Sequence, residues 1–132
     1  MHQVLEINRY CRTSFLLLKN IATQTIDNCF DDSRVISENN FDFMEIGKTY
    51  QCRIMLFGTP AKRRKENTIL CEIMNEELIG NRLFKKVNVG TDEYYIPCDC
   101  IESYKYNHWL LFDYTRKDLI QVDGVIHADL LN

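Results

Sequence analysis

The hydrophobic period of this chain changes once, and that change limits what the chain can fold into. Up to residue 29, Val4, Ile7, Cys11, Phe15, Leu18, Ala22, Ile26 and Cys29 recur at steps of three and four. That spacing gathers side chains on one stripe of a helix. Beyond Phe41 the period is two: Tyr50, Cys52, Ile54 and Leu56 alternate with Gln51, Arg53, Met55 and Phe57, as in a strand. The expected fold class is α+β, with an N-terminal amphipathic helix packed on a curved antiparallel β-sheet or small β-barrel. The helix is expected over about residues 3–29, in a helical segment 1–30, and the β-rich segment over 41–132. β-branched and Asn residues (Ile7, Asn8, Thr13, Thr23, Thr25) weaken helical propensity, and Arg12-Thr13-Ser14 is a natural place for a break.

At 132 residues the chain is one domain's worth, large enough to build a core without covalent staples. Asp31-Asp32-Ser33 ends the helical pattern and Ser37-Glu38-Asn39-Asn40 reads as a connection. A strand to Phe57 is followed by a loop, Gly58 to Asn67, and by a second strand around Ile69, Cys71 and Ile73, antiparallel to the first. Leu83–Val89, Glu93–Ile96 and Tyr106–Tyr114 are further strands. Asn88-Val89-Gly90-Thr91-Asp92, Thr115-Arg116-Lys117-Asp118 and Asp123-Gly124 supply the turns. Within the fifth strand, Trp109 and Leu111 fall on one face and His108, Leu110 and Phe112 on the other.

Tyr95-Ile96-Pro97, with Ile101 four residues on, resembles the Tyr-Ile-Pro…Val ending of Src-homology peptide-binding domains. The resemblance covers about seven residues and implies a short helical turn linking two strands of a small barrel. That family's tyrosine-rich opening motif and groove tryptophan have no counterpart here, so no binding residues follow from it.

Phe15-Leu16-Leu17-Leu18 is stopped by Lys19 and preceded by Glu6, Arg9 and Arg12. A secretory segment needs about 7–15 apolar residues and a membrane span about 20. The chain is accordingly expected to be soluble and cytoplasmic, with no membrane partner. Its six cysteines are expected to be reduced thiols. Cys52 and Cys71 lie inside apolar strand patterns, where a thiol serves as a small hydrophobe.

Motifs for catalysis are fragmentary. Gly47-Lys48-Thr49 is the tail of a phosphate-binding loop, but Asp42 stands where its first glycine belongs and a strand follows instead of a helix. Cys98-Asp99-Cys100 with His108 is the best metal or thiol-enzyme candidate, yet a structural zinc site wants a second ligand pair and a two-residue gap. Asp92, Glu93, Asp99, Glu102, Asp113 and Asp118 are scattered through turns and strand faces that suit solvated charge. No cofactor is called for.

The charge pattern says more than the net −3. Residues 1–47 hold four basic and seven acidic side chains, residues 48–90 nine and four, and residues 91–132 three and eight. A positive middle between negative flanks steers partners. Lys62-Arg63-Arg64-Lys65 is its sharpest feature, with Lys85 and Lys86 available to extend it. Tyr94, Tyr95, Tyr104, Tyr106 and Trp109 are candidate stacking platforms. The reading that follows is a non-catalytic protein-binding domain of inhibitor or immunity type. It would meet a partner's acidic patch through Lys62, Arg63, Arg64, Lys65, Lys85, Lys86, Tyr95 and Trp109. A single-stranded nucleic-acid-binding small barrel is the alternative, and a thiol- or metal-dependent enzyme using Cys98, Cys100 and His108 is the second alternative.

Overall fold

The computed structural model describes residues 1–36, 40–102 and 107–131, the side chains of residues 35 and 36 excepted. The polar residues Ser37, Glu38 and Asn39 and the candidate platforms Tyr104 and Tyr106 lie outside the described residues. Among those described, strands dominate and no helix reaches seven residues.

The N-terminal helix is absent. In its place stand β1 (His2–Tyr10), β2 (Thr13–Asn20) and β3 (Ile26–Asp31), an antiparallel meander with Val4 opposite Leu18 and Leu16 opposite Cys29. The first turn, at Cys11-Arg12, falls beside the expected break. The second reverses through Gln24, whose φ is 67°. Within β2, Ser14, Leu16 and Leu18 are buried while Phe15 and Leu17 lie on the partly exposed face. Four consecutive apolar residues fill both faces of a strand and satisfy a three-four spacing as well. In β3 the buried alternation is Asp27, Cys29, Asp31, so two of its three inward residues are charged and the period of two does not register as hydrophobic.

After α1 (Ser33–Ile36) come β4 (Thr49–Tyr50), β5 (Cys52–Pro60), β6 (Thr68–Ile79), β7 (Arg82–Val89) and β8 (Asp92–Pro97). Then follow α2 (Cys98–Ile101), β9 (Trp109–Val122), β10 (Val125–Ile126) and a closing 3₁₀ turn, Ala128–Leu130. The glycine turns fall where expected: Gly90-Thr91 joins β7 to β8, and Asp123-Gly124 joins β9 to β10. The short helix α2 directly follows Tyr95-Ile96-Pro97 and precedes the next strand, as the local resemblance implies.

Thr115 to Asp118 is not a turn. It lies in the middle of the fourteen-residue β9, paired to β5 from Pro60↔Phe112 to Cys52↔Val122. Nor do β5 and β6 pair with each other. β9 lies between them, its Trp109–Asp113 end against Thr68–Glu72 of β6, and further along Cys29 and Phe30 of β3 join it in parallel at Lys117 and Asp118. Pairings run from β9 through β5, β8, β7 and β6 back to β9, but the β5–β8 link is the single bridge Met55↔Tyr95. The sheet also continues through β3, β2 and β1 to β4. It is one bent sheet and not a clean barrel.

Alternation puts Val4, Leu16, Leu18, Cys29, Ile54, Leu56, Val87, Ile96, Leu110, Phe112 and Leu119 in one core. The adjoining residues Met55, Tyr95 and Ile120 face the other way and build a second, smaller core with Ile79, Phe84 and Leu130. Gly58 sits where β5 and β9 slip register, and a Cβ there would stand 2.1 Å from the Asp113 carbonyl oxygen.

Candidate interaction surface

The basic loop takes its position from β9. β5 ends at Pro60 opposite Phe112, and β6 starts at Thr68 opposite Asp113, so the connection leaves and returns at neighbouring points of one strand. Its stem is pinned: the Ala61 N–H donates to the Leu111 carbonyl (2.9 Å), the Lys65 N–H to Thr68 Oγ1 (3.0 Å), and the Thr68 N–H to the Lys65 carbonyl (3.2 Å). Lys62, Arg63, Arg64 and Lys65 are all exposed, and none has an ion-pair partner among the described residues. Most other cations are closed on carboxylates, among them Arg9 and Arg34 on Asp42, Lys48 on Glu45, Arg82 on Asp99 and Arg116 on Asp118.

An apolar strip adjoins the stem. Leu70 lies opposite Leu111, and Glu72 opposite Trp109, which puts all four on one face of the sheet. Trp109 is 50% exposed and Leu70 38%. His108 holds the indole from the side, ring centroids 5.3 Å apart and perpendicular, and is itself fixed by Glu72 at 2.7 Å from Nε2. Met74, exposed at the β6 bulge, continues the strip.

The other residues expected at this surface are elsewhere. Lys85 is bound to Glu76 (2.8 Å) and Lys86 to Glu93 (3.4 Å). Glu76 lies eight strand residues beyond Thr68, roughly 25 Å along β6. Tyr95 is buried, with its ring edge-on to Phe84 and Arg53 lying over it, so it offers no face for stacking. Burial pushes its hydroxyl up to about 12, with Arg53 opposing and the Glu77 carboxylate adding. Tyr94 is buried as well, its hydroxyl donating to Asp27 (2.7 Å).

Cys98, Cys100 and His108 do not converge. Cys98 and Cys100 sit on α2, and His108 is held by Glu72. Burial raises both thiols above their ordinary value, the reverse of what a thiolate nucleophile or ligand needs. Among the described residues, the cluster with metal-ligand character is Asp32, His127 and Asp129. There the imidazole is already used on both sides: Nδ1 accepts from the Asp129 N–H (3.1 Å), and Nε2 faces Asp32 Oδ1 at 2.7 Å. His127 thereby caps the final 3₁₀ turn and ties it to the end of β3. Gly47-Lys48-Thr49 is a turn into β4, with Lys48 bound to Glu45.

Three buried or half-buried polar arrangements gave no sequence signal. Asp27 receives both Lys117 and Tyr94. Arg116 lies between the Phe30 and Phe57 rings, 4.2 and 4.8 Å from their centroids, while bound to Asp118. His127 reaches Asp32 across 95 positions of sequence. All are contacts across strands, and no local motif encodes them. No protein family matches the sequence, and no curated protein or solved structure matches it.

Proposed function

We propose that this chain is a non-catalytic binding domain of inhibitor or immunity type, which docks an acidic protein surface through Lys62–Lys65 and the adjoining Leu70–Leu111–Trp109 strip. One observation carries the reading: four consecutive exposed cations, without an ion-pair partner among the described residues, stand on a pinned stem beside a half-exposed tryptophan held in place by His108. Unpaired charge at the rim speeds encounter with a complementary surface, and a central tryptophan is a frequent anchor of binding energy. A protein partner is favoured over single-stranded nucleic acid because Tyr94 and Tyr95 are buried. Of the candidate platforms that lie among the described residues, that leaves Trp109 exposed, whereas a strand of bases needs several in succession.

The test compares proteins captured from source-cell extract by wild type, the R63E/R64E variant and W109A. Capture that weakens with added salt, and is lost on charge reversal, supports the proposal. Retention of the same species by R63E/R64E refutes it. Fluorescence anisotropy with mixed oligonucleotides at low salt runs in parallel, and tight binding there would transfer the loop to the nucleic-acid reading.

A further inference from the structure

β5 and β8 pair only at Met55↔Tyr95 among the described residues, and two adjoining hollows of about 380 and 270 Å³ open beside that bridge. They share Gln51, Cys52, Glu93 and Tyr95. The larger is also lined by Arg53, Glu77, Lys86, Gln121 and Asp123. It falls within the usual range of small-molecule sites, about 300–1,000 Å³.

The charges in the larger hollow can be accounted for singly. Lys86 and Glu93 pair with each other. Asp123 Oδ1 accepts the Gln51 N–H (2.8 Å) and holds the β9–β10 turn. Among the described residues Arg53 and Glu77 are the two charged side chains of this lining left without an ion pair or a backbone donor. Arg53 has no carboxylate partner among the described residues, and its guanidinium lies 5.4 Å from the centroid of the Tyr95 ring. The Glu77 carboxylate accepts a hydrogen bond from the hydroxyl of the same ring, while its Oε2 is buried with no hydrogen-bond donor among the described residues. An unsatisfied buried carboxylate oxygen costs a folded protein free energy and calls for a donor. In the lining of the neighbouring hollow, His2 Nδ1 is a second buried atom without a partner among the described residues.

We infer that this groove binds a small zwitterion of amino-acid character, its carboxylate on Arg53 and its ammonium on Glu77. A plain anion would leave Glu77 Oε2 unsatisfied and face Glu93 and Asp123. A plain cation would leave Arg53 unpaired. A zwitterion supplies both partners and leaves the net charge of the groove, set by two cations and three carboxylates, unchanged. The cavity of about 220 Å³ between Asp32, Arg116 and His127 has no such vacancy in its bonding. Its Arg116 is closed on Asp118, its Arg82 on Asp99 and its His127 on Asp32.

The test titrates the full chain with glycine, 4-aminobutyrate and 6-aminohexanoate, and with butyrate and butylamine as half-ligands. Calorimetry gives affinity, and amide chemical shifts give location. At least one zwitterion is expected to bind, shifting the amides of Arg53, Glu77 and Gln121, while both half-ligands bind at least tenfold more weakly. Arg53→Gln and Glu77→Gln are each expected to weaken the zwitterion by about 10- to 100-fold, the span for a hydrogen bond to a charged group. Unchanged melting temperatures of both variants would show that the fold is intact. No binding by any of the three zwitterions, butylamine binding as tightly as 4-aminobutyrate, or full affinity in Glu77→Gln would each overturn the inference.

Discussion

Replacing Gly58 with alanine tests the central claim about the fold, that β5 and β9 cross at a point where no side chain fits. The added Cβ would lie 2.1 Å from the Asp113 oxygen and 2.8 Å from Tyr114 Cα, where ordinary contact begins near 3.4 Å. Both neighbours are backbone, so no rotamer change relieves the clash, and the strands must part by more than an ångström. Hydrogen bonds near 2.9 Å do not survive such a displacement. The pairs at stake are Gly58↔Tyr114 and Thr59↔Asp113. Two ladder bonds at roughly 0.5–1.5 kcal/mol each, with overpacking strain of about 1–3 kcal/mol, give a loss of about 2–6 kcal/mol.

Against a total stability of roughly 5–15 kcal/mol, that loss is a large share. The urea midpoint should fall with the m-value unchanged. Gly90→Ala is the control. Gly90 has φ of 63° but nothing within 4 Å of its added Cβ, so only the left-handed backbone is penalised, at about 1–2 kcal/mol. If Gly58→Ala proves no more destabilising than Gly90→Ala, the close crossing of β5 and β9 is wrong.

Three further outcomes follow. Lys117→Met strands Asp27, whose side chain is 5% exposed, without its cation, for an expected loss of about 3–5 kcal/mol; adding Asp27→Leu should recover much of it, and strictly additive losses would contradict a coupled pair. Burial raises Cys52 and Cys71 to about 12, and Cys29 and Tyr94 upward as well. Above about pH 9 the unfolded chain therefore gives up protons that the native state keeps; the contribution of these groups is constant below that pH and falls as pH rises toward 12, and a flat urea midpoint between pH 8 and 11 would refute the burial. In thiol labelling of the native protein, exposed Cys11 should react while buried Cys29 and Cys71 stay protected until unfolding, and uniform labelling would count against the core.

The parts of this fold that could be read in the sequence are those encoded by neighbours. Gly90-Thr91 and Asp123-Gly124 mark turns because the backbone there needs positive φ, at Gly90 and Asp123. Ile54 and Leu56, like Leu110 and Phe112, bury one face of a strand while residues between them stay more exposed. The N-terminal meander could not be read in this way. Phe15–Leu18 fits either period, and in β3 two of the three inward positions are Asp27 and Asp31, made tolerable by Lys117 and Tyr94 on distant strands and by the Ser33 N–H. A charged residue at a core position looks like surface until its partner is known. Thr115-Arg116-Lys117-Asp118 misled for the same reason: four polar residues suggest a turn, yet Lys117 points to Asp27 and Arg116 lies between two phenylalanines.

The positive middle of the chain does not form one uniform surface in the folded protein. The nine cations of residues 48–90 suggest one broad basic surface. Four of them, Lys48, Arg82, Lys85 and Lys86, are spent on carboxylates within the fold. The five without an ion-pair partner among the described residues fall in two places that do different work. Lys62–Lys65 project from an exposed loop, where charge is cheap to hydrate and acts at a distance. Arg53 lies over the Tyr95 ring in a groove beside a carboxylate oxygen that lacks a donor among the described residues, where charge is partly desolvated and acts only on contact. Added salt should therefore weaken whatever the loop recruits far more than whatever the groove holds, because exposed charges are screened within about 10 Å and enclosed ones much less. Equal salt sensitivity of the two would mean that the loop and the groove belong to one continuous surface.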